Sequence, residues 1–153
     1  MYPPTYFSER ARVSPLFEDA RKRARFSQIT SILRGRPRRL VELEELIQGA
    51  TIVSQYALGP QTVCIHAIQG TENRNTDFDS DFNPLKSDNR DRWINIALAQ
   101  LQDIGLPAID LIQIGDTYYV RDGHHRISVA RALGADFIDA NITVLEIDNL
   151  RSG

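Results

Sequence analysis

The chain has 153 residues, 42% of them hydrophobic and 25% charged, with a single cysteine and a formal net charge of −2. These values describe an ordinary soluble globular chain of one domain, long enough to bury a core without covalent staples. They exclude an intrachain disulfide and a cysteine-rich zinc site, and no apolar run approaches the roughly 18 to 20 residues that span a bilayer. The opening MYPPTYFSERARV holds no apolar stretch after a basic one, so a secretory leader is not expected and a cytoplasmic location is. Cys64, in VCIHAI, reads as a small core residue.

The net charge hides an asymmetry. Residues 1–39 carry ten Lys and Arg against three acids, a local charge of +7, and the other 114 residues carry eight basic and seventeen acidic residues, −9. Residues 1–50 therefore read as a basic helical extension. Ser14 before Pro15 is a capping residue followed by a favourable first helical residue. Nothing breaks a helix from there to Leu33, and Gly35 and Pro37 end it. Leu16, Phe17, Ala20 and Ala24 share one face; Phe26, Ile29, Ile32 and Leu33 lie on another, because each residue turns the helix by about 100°. Both faces need a surface to cover them. Leu40–Gln48 reads as a short second helix closed by Gly49.

Farther along, Thr62–Ile68 is a strand by composition. Residues 70–88 form a polar stretch rich in Asn and Asp, too long for a plain turn. Asn89–Ile104 is helical, with Trp93, Ile96, Ala97, Leu101 and Ile104 on one side. Ala108–Ile114 and Thr117–Arg121 are strands joined by a turn at Gly115-Asp116. Gly123–Leu133 is a helix stopped by Gly134, and Phe137–Ile147 supplies the last strand or two. The fold class is α+β, a small mixed sheet with flanking helices plus the helical extension.

The stretch RDGHHRISVARALG concentrates chemistry. The first N–H groups of a helix lack intrahelical partners, and the helix dipole adds about half a positive charge there. Gly123 permits a tight turn. Arg126 can fork onto two phosphate oxygens, and His124 and His125 can donate hydrogen bonds or move protons near neutral pH. Together they suit an anion, most naturally a phosphate. The plainer alternative makes Asp122 a cap, His125 a satisfied core histidine and Arg126 a surface residue. Adjacent histidines diverge by about 100° on a helix, which argues against a metal centre built on them.

With these residues in place, the chain resembles the ParB/sulfiredoxin superfamily. LQDIGLPAIDLIQIGDTYYVRDGHHRISVARALG is similar to that family's succession of helix, G-L, P-I, strand, turn, strand, G-x-x-R and helix. The resemblance covers residues 61–147 and leaves the basic head outside. It implies a ParB/sulfiredoxin-like fold that binds a nucleotide (ATP, ADP or CTP) with Mg²⁺. Gly123, His124, His125 and Arg126 would cradle its phosphates. The superfamily includes nucleotide-dependent DNA clamps, a sulfinic acid reductase and small-molecule kinases. Sulfiredoxins carry their catalytic cysteine at the position of His124, which argues against that reaction here. The clamps place an arginine where this chain has Ser128.

The resemblance also puts GTENRNTDFDSDFNP, 70–84, on the far wall of the nucleotide pocket. Glu72 would then be a general base with His124 as the alternative, Arg74 a phosphate contact, and Asp77 and Asp79 ligands of Mg²⁺. Phe82 and Asp88 stand where a calcium loop needs glycine and glutamate, which excludes an EF-hand. The plainer alternative is a solvated acidic loop pinned by Phe78 and Phe82. Two functions stay open: a nucleotide-binding domain that transfers or hydrolyses phosphate, and a non-catalytic DNA-associated regulator of partition type. The second would contact DNA through Arg21, Lys22, Arg23, Arg25, Arg36, Arg38 and Arg39. Alternatively the head packs on protein, either its own chain or a second copy in a homodimer.

Overall fold

A computed structural model of the chain describes residues 4–35, 39–73 and 75–148, without the side chains of residues 4–6. The class is α+β. The elements in chain order are α1 (Pro4–Arg34), β1 (Val41–Glu42), α2 (Leu43–Ile47), β2 (Thr51–Cys64), a 3-10 turn (Ile65–Ala67), β3 (Ile68–Thr71), α3 (Arg90–Leu101), β4 (Ile109–Ile114), β5 (Thr117–Asp122), α4 (His124–Ala132) and β6 (Phe137–Asp148). None of the described helices is long and apolar enough to cross a membrane. The chain divides into two compact units, each assembled from three stretches of sequence: Met1–Arg39 with Thr76–Pro107 and His125–Ala135, and Leu40–Asn75 with Ala108–His124 and Asp136–Gly153.

The first unit is helical. Val13, Phe17 and Ala20 of α1 are buried with Trp93, Ile94, Ala97 and Leu98 of α3 and Val129 of α4. The expected helix start at Ser14 is overturned. α1 begins at Pro4 and runs through Pro15, and the Ser14 hydroxyl donates to the Arg10 carbonyl one turn back at 2.9 Å. An interior proline removes a helical hydrogen bond and crowds the preceding turn. Here the stripe Val13, Phe17, Ala20 is held by tertiary packing, which outweighs the local preference. The face with Phe26, Ile29, Ile32 and Leu33 is exposed, at 58 to 82% of each residue's accessible surface, so the described residues do not supply the expected cover. In α3 the buried side is Trp93, Ile94, Ala97 and Leu98; Leu101 and Ile104 are exposed, because the helix ends at Leu101.

Trp93 joins the three helices. Its ring meets Phe17 edge-on at 5.4 Å, and its indole N–H donates to the Ser128 hydroxyl of α4 at 2.9 Å, both residues being buried. Ion pairs decorate the same contact: Arg10 with Asp91 at 2.6 Å and Arg90 with Glu18 at 3.2 Å. The Gln102 amide also donates to Glu9.

The second unit holds a six-stranded sheet in the order β1-β3-β5-β4-β6-β2. It is mixed: β1 with β3, β3 with β5 and β4 with β6 are parallel, and β4 with β5 and β6 with β2 are antiparallel. The strand expected at residues 62–68 is corrected on both sides. β2 begins at Thr51 and pairs with β6 from Thr51↔Asp148 to Cys64↔Phe137, after which a 3-10 turn separates it from β3. Gly59-Pro60 reads locally as a break, but proline is tolerated on an edge strand. Similarly, Val41-Glu42 is a strand and only Leu43–Ile47 of the expected 40–48 helix is helical. Cys64 is exposed rather than in the core. Leu43, Ile112, Tyr119 and Leu145 form a buried cluster on the sheet.

Gly70 lies between two strands at close quarters. A Cβ there would stand 2.3 Å from the Val41 carbonyl oxygen and 2.6 Å from the Tyr119 ring. Gly70→Ala should therefore destabilise the protein by about 1 to 3 kcal/mol through overpacking, read by urea denaturation. Ser128→Ala leaves the buried Trp93 N–H without its acceptor and should cost about 1 to 3 kcal/mol in the same measurement.

Candidate functional site

The residues expected to act fall in both units. His125, Arg126, Asp77 and Asp79 belong to the helical unit, and Glu72, Gly123 and His124 to the sheet unit. Arg74 lies outside the described residues, as do Arg36 and Arg38.

In the helical unit, α4 follows Gly123, whose φ of 119° is a conformation that favours glycine. Arg126 stands in the first turn of α4, and its guanidinium donates to the Pro107 carbonyl at 2.5 Å. Arg126 also lines an open cavity of about 580 Å³ with Arg92, Asn95, Ile96 and Ala99 of α3 and with Leu106 and Pro107. Sequence reasoning missed Arg92 and Asn95. They belong to the polar side of a helix read mainly for its apolar side, and no local signal points to them.

His125, one residue earlier, is turned inward. Its ring packs edge-on against Phe78 at 5.0 Å and 84°. It lines a small cavity with Phe17, Asp77, Phe78, Lys86, Asn89 and Trp93, with room for roughly one water. Its Nε2 is buried and has no hydrogen-bond partner among the described residues. Burial lowers its pKa, the nearby Arg92 charge lowers it further, and Asp77 opposes both. These surroundings favour the neutral imidazole over the cation.

The acidic loop folds on itself. Asp79 is 1% exposed, and its carboxylate accepts from the backbone N–H groups of Asp81 and Asn83, both at 2.9 Å, and from the Asn83 amide at 3.3 Å. Burial raises the pKa of Asp79, partly offset by the hydrogen bonds from Asn83. Phe78 and Phe82 are buried, as the plainer reading of the loop expects. Asp77 pairs with Lys86 at 3.5 Å, and Asp81 pairs with Arg131 of α4 at 3.5 Å. Among the described residues no three His, Cys, Asp or Glu side chains are grouped to hold a metal ion. One Asp77 oxygen thus faces Lys86, and both Asp79 oxygens accept hydrogen bonds from their own loop.

Several arginines of the head serve the same loop. Arg21 donates to the Pro84 carbonyl at 3.3 Å and Arg23 to the Asn83 side chain at 3.2 Å, while Arg39 and Asp79 form an isolated β-bridge. Lys22 and Arg25 are exposed.

In the sheet unit, Glu72 follows β3 and Arg121 stands on β5. Arg121 donates to both Glu72 oxygens, at 2.9 and 3.0 Å, and this bond and the Glu72 charge hold the guanidinium firmly protonated. Glu72 can serve as a base only after it releases Arg121. The His124 Nε2 lies 2.8 Å from the hydroxyl of Thr71, a buried residue whose hydroxyl is also 3.4 Å from the Val120 carbonyl. Thr71 thus holds the His124 ring against the end of β3. No protein-family model, curated protein or solved structure matches the chain.

The low pKa of His125 has a consequence for stability. In the unfolded chain its pKa is about 6.5, and in the fold it is lower, so protons bind preferentially to the unfolded state as pH falls below that value. The His125 contribution is complete above about pH 6.5 and is lost as pH falls through the folded-state pKa. Thermal unfolding followed at decreasing pH should show this loss, and His125→Phe should flatten the slope in that window.

Proposed function

We propose that the chain binds a nucleotide or another phosphorylated small molecule, with the phosphates at the start of α4. The observation that carries this reading is the pair Arg92 and Arg126, which come from two helices and line one cavity with an apolar floor of Ile96, Ala99, Leu106 and Pro107. A volume of about 580 Å³ falls in the ordinary range for small-molecule sites. Two guanidinium groups can each fork onto phosphate oxygens. The first turn of α4 adds N–H donors and the positive end of its dipole at Arg126. The apolar floor suits a base or another flat apolar group. The resemblance to ParB/sulfiredoxin domains, whose nucleotide phosphates lie at this turn, supports the same assignment.

The reading is of binding before turnover. Glu72 is held by Arg121 at both oxygens, Asp77 pairs with Lys86 and Asp79 accepts hydrogen bonds from its own loop.

Isothermal titration with ATP, ADP, CTP and GTP tests the proposal. At least one should bind, and Arg126→Ala should weaken it by roughly 1.5 to 3 kcal/mol, the scale of hydrogen bonds to charged groups. Arg92→Ala should act in the same direction. Affinity unchanged in both variants would remove the site from this cavity.

A further inference from the structure

We propose that β2 is a docking edge for a second copy of this chain, through antiparallel pairing of the two β2 strands about a two-fold axis. β2 is the last strand of the sheet, and among the described residues β6 is its sole strand partner. The outer edge of such a strand presents a row of backbone N–H and C=O groups to any chain able to pair with it. Proteins usually guard these edges with lysines or other charges. This one carries none: from Leu46 to Thr71 there is no Asp, Glu, Lys or Arg. Its large apolar side chains are instead in solvent, with Ile52 49% exposed, Val53 65%, Tyr56 44% and Leu58 47%.

The shape of the strand selects where pairing occurs. Register shifts against β6 lie between Ile52 and Ser54 and between Ala57 and Gly59, and Pro60 follows. Between the shifts the strand is regular from Ser54 to Ala57; beyond them it is regular from Gly59 to Cys64 but carries Pro60, which has no N–H to donate to a new partner. A two-fold axis through Tyr56 sets Tyr56 opposite Tyr56 of the partner subunit, Ser54 opposite Leu58 of the partner subunit and Val53 opposite Gly59 of the partner subunit. Every such pair is neutral or apolar, and neutral or apolar cross-strand neighbours avoid like-charge repulsion. From Val53 to Gly59 the contact is roughly 24 Å long, so a weak, concentration-dependent dimer is expected and not an obligate one.

Charge separates this surface from the other exposed apolar one. On α1, Phe26, Ile29, Ile32 and Leu33 stand among exposed Lys22, Arg25 and Arg34. Two copies pairing there would bring cations against cations, which is unfavourable. A second copy fits β2 and does not fit α1.

Sedimentation over a wide range of concentrations should give a reversible monomer–dimer equilibrium. Val53→Lys and Tyr56→Lys should each weaken it at least about tenfold: a lysine at 56 meets its own copy across the axis, and one at 53 puts a solvated charge on the pairing edge. Leu33→Glu on α1 should leave it unchanged. Hydrogen exchange on the unmodified protein gives an independent reading: amides of residues 53–58 should become more protected as concentration rises. A monomer at every concentration overturns the proposal. So does a dimer that both lysine variants leave intact, one that Leu33→Glu abolishes, or one without new protection at residues 53–58.

Discussion

The helical unit depends on the placement of one indole. Trp93 is fully buried, packs edge-on against Phe17 of α1 and donates to Ser128 of α4. An indole is too large to bury without close neighbours, and its N–H demands an acceptor once water is gone. Both demands are met here by different helices, so the packing of Trp93 and the direction of its hydrogen bond tie three helices together. Arg92, the neighbour of Trp93 on α3, and Arg126, two residues before Ser128 on α4, are thereby set on one cavity. The candidate anion site is a consequence of how a tryptophan is satisfied.

The basic head follows the same logic. Its local charge suggests an electrostatic partner, yet what holds α1 in the unit is the stripe Val13, Phe17 and Ala20. The ion pairs along it, such as Arg10 with Asp91, are partly or largely exposed and contribute little each. Arg21 and Arg23 spend their donors on the loop around Asn83 and Pro84. The loop in turn is organised by Asp79, whose buried carboxylate gathers donors that the backbone would otherwise leave unsatisfied. Asp79 is in this way the frame of the loop.

The sheet unit is governed by its edges. Gly70 allows β1 and the Tyr119 ring to approach more closely than any side chain would permit. At the other side, β2 is long because β6 pairs with it along its whole length. Neither fact is local. β2 contains Gly59 and Pro60 and lacks clean alternation, so the residues alone describe a broken strand at best; the ladder to a segment more than seventy positions later makes it continuous.

Much of the order of elements was legible. The hairpin of β4 and β5 is announced by Gly115-Asp116 between two apolar runs, and α3 and α4 are marked by their apolar spacing and closing glycines, signals that operate over a few residues. The GHHR turn was legible as a helix start that carries an arginine for the same reason: a glycine, a helix start and an arginine are neighbours in the chain. Composition and local periodicity by themselves thus determined the α+β class and most element positions. Tertiary structure alone decided that α1 continues through Pro15, that β2 starts at Thr51, that Cys64 is exposed, that His125 points inward while Arg126 points to the open cavity, and that Arg92 joins it. These outcomes turn on which distant surface each side chain meets, and on whether burial removes the water that a proline-broken turn, a histidine or a carboxylate would otherwise use.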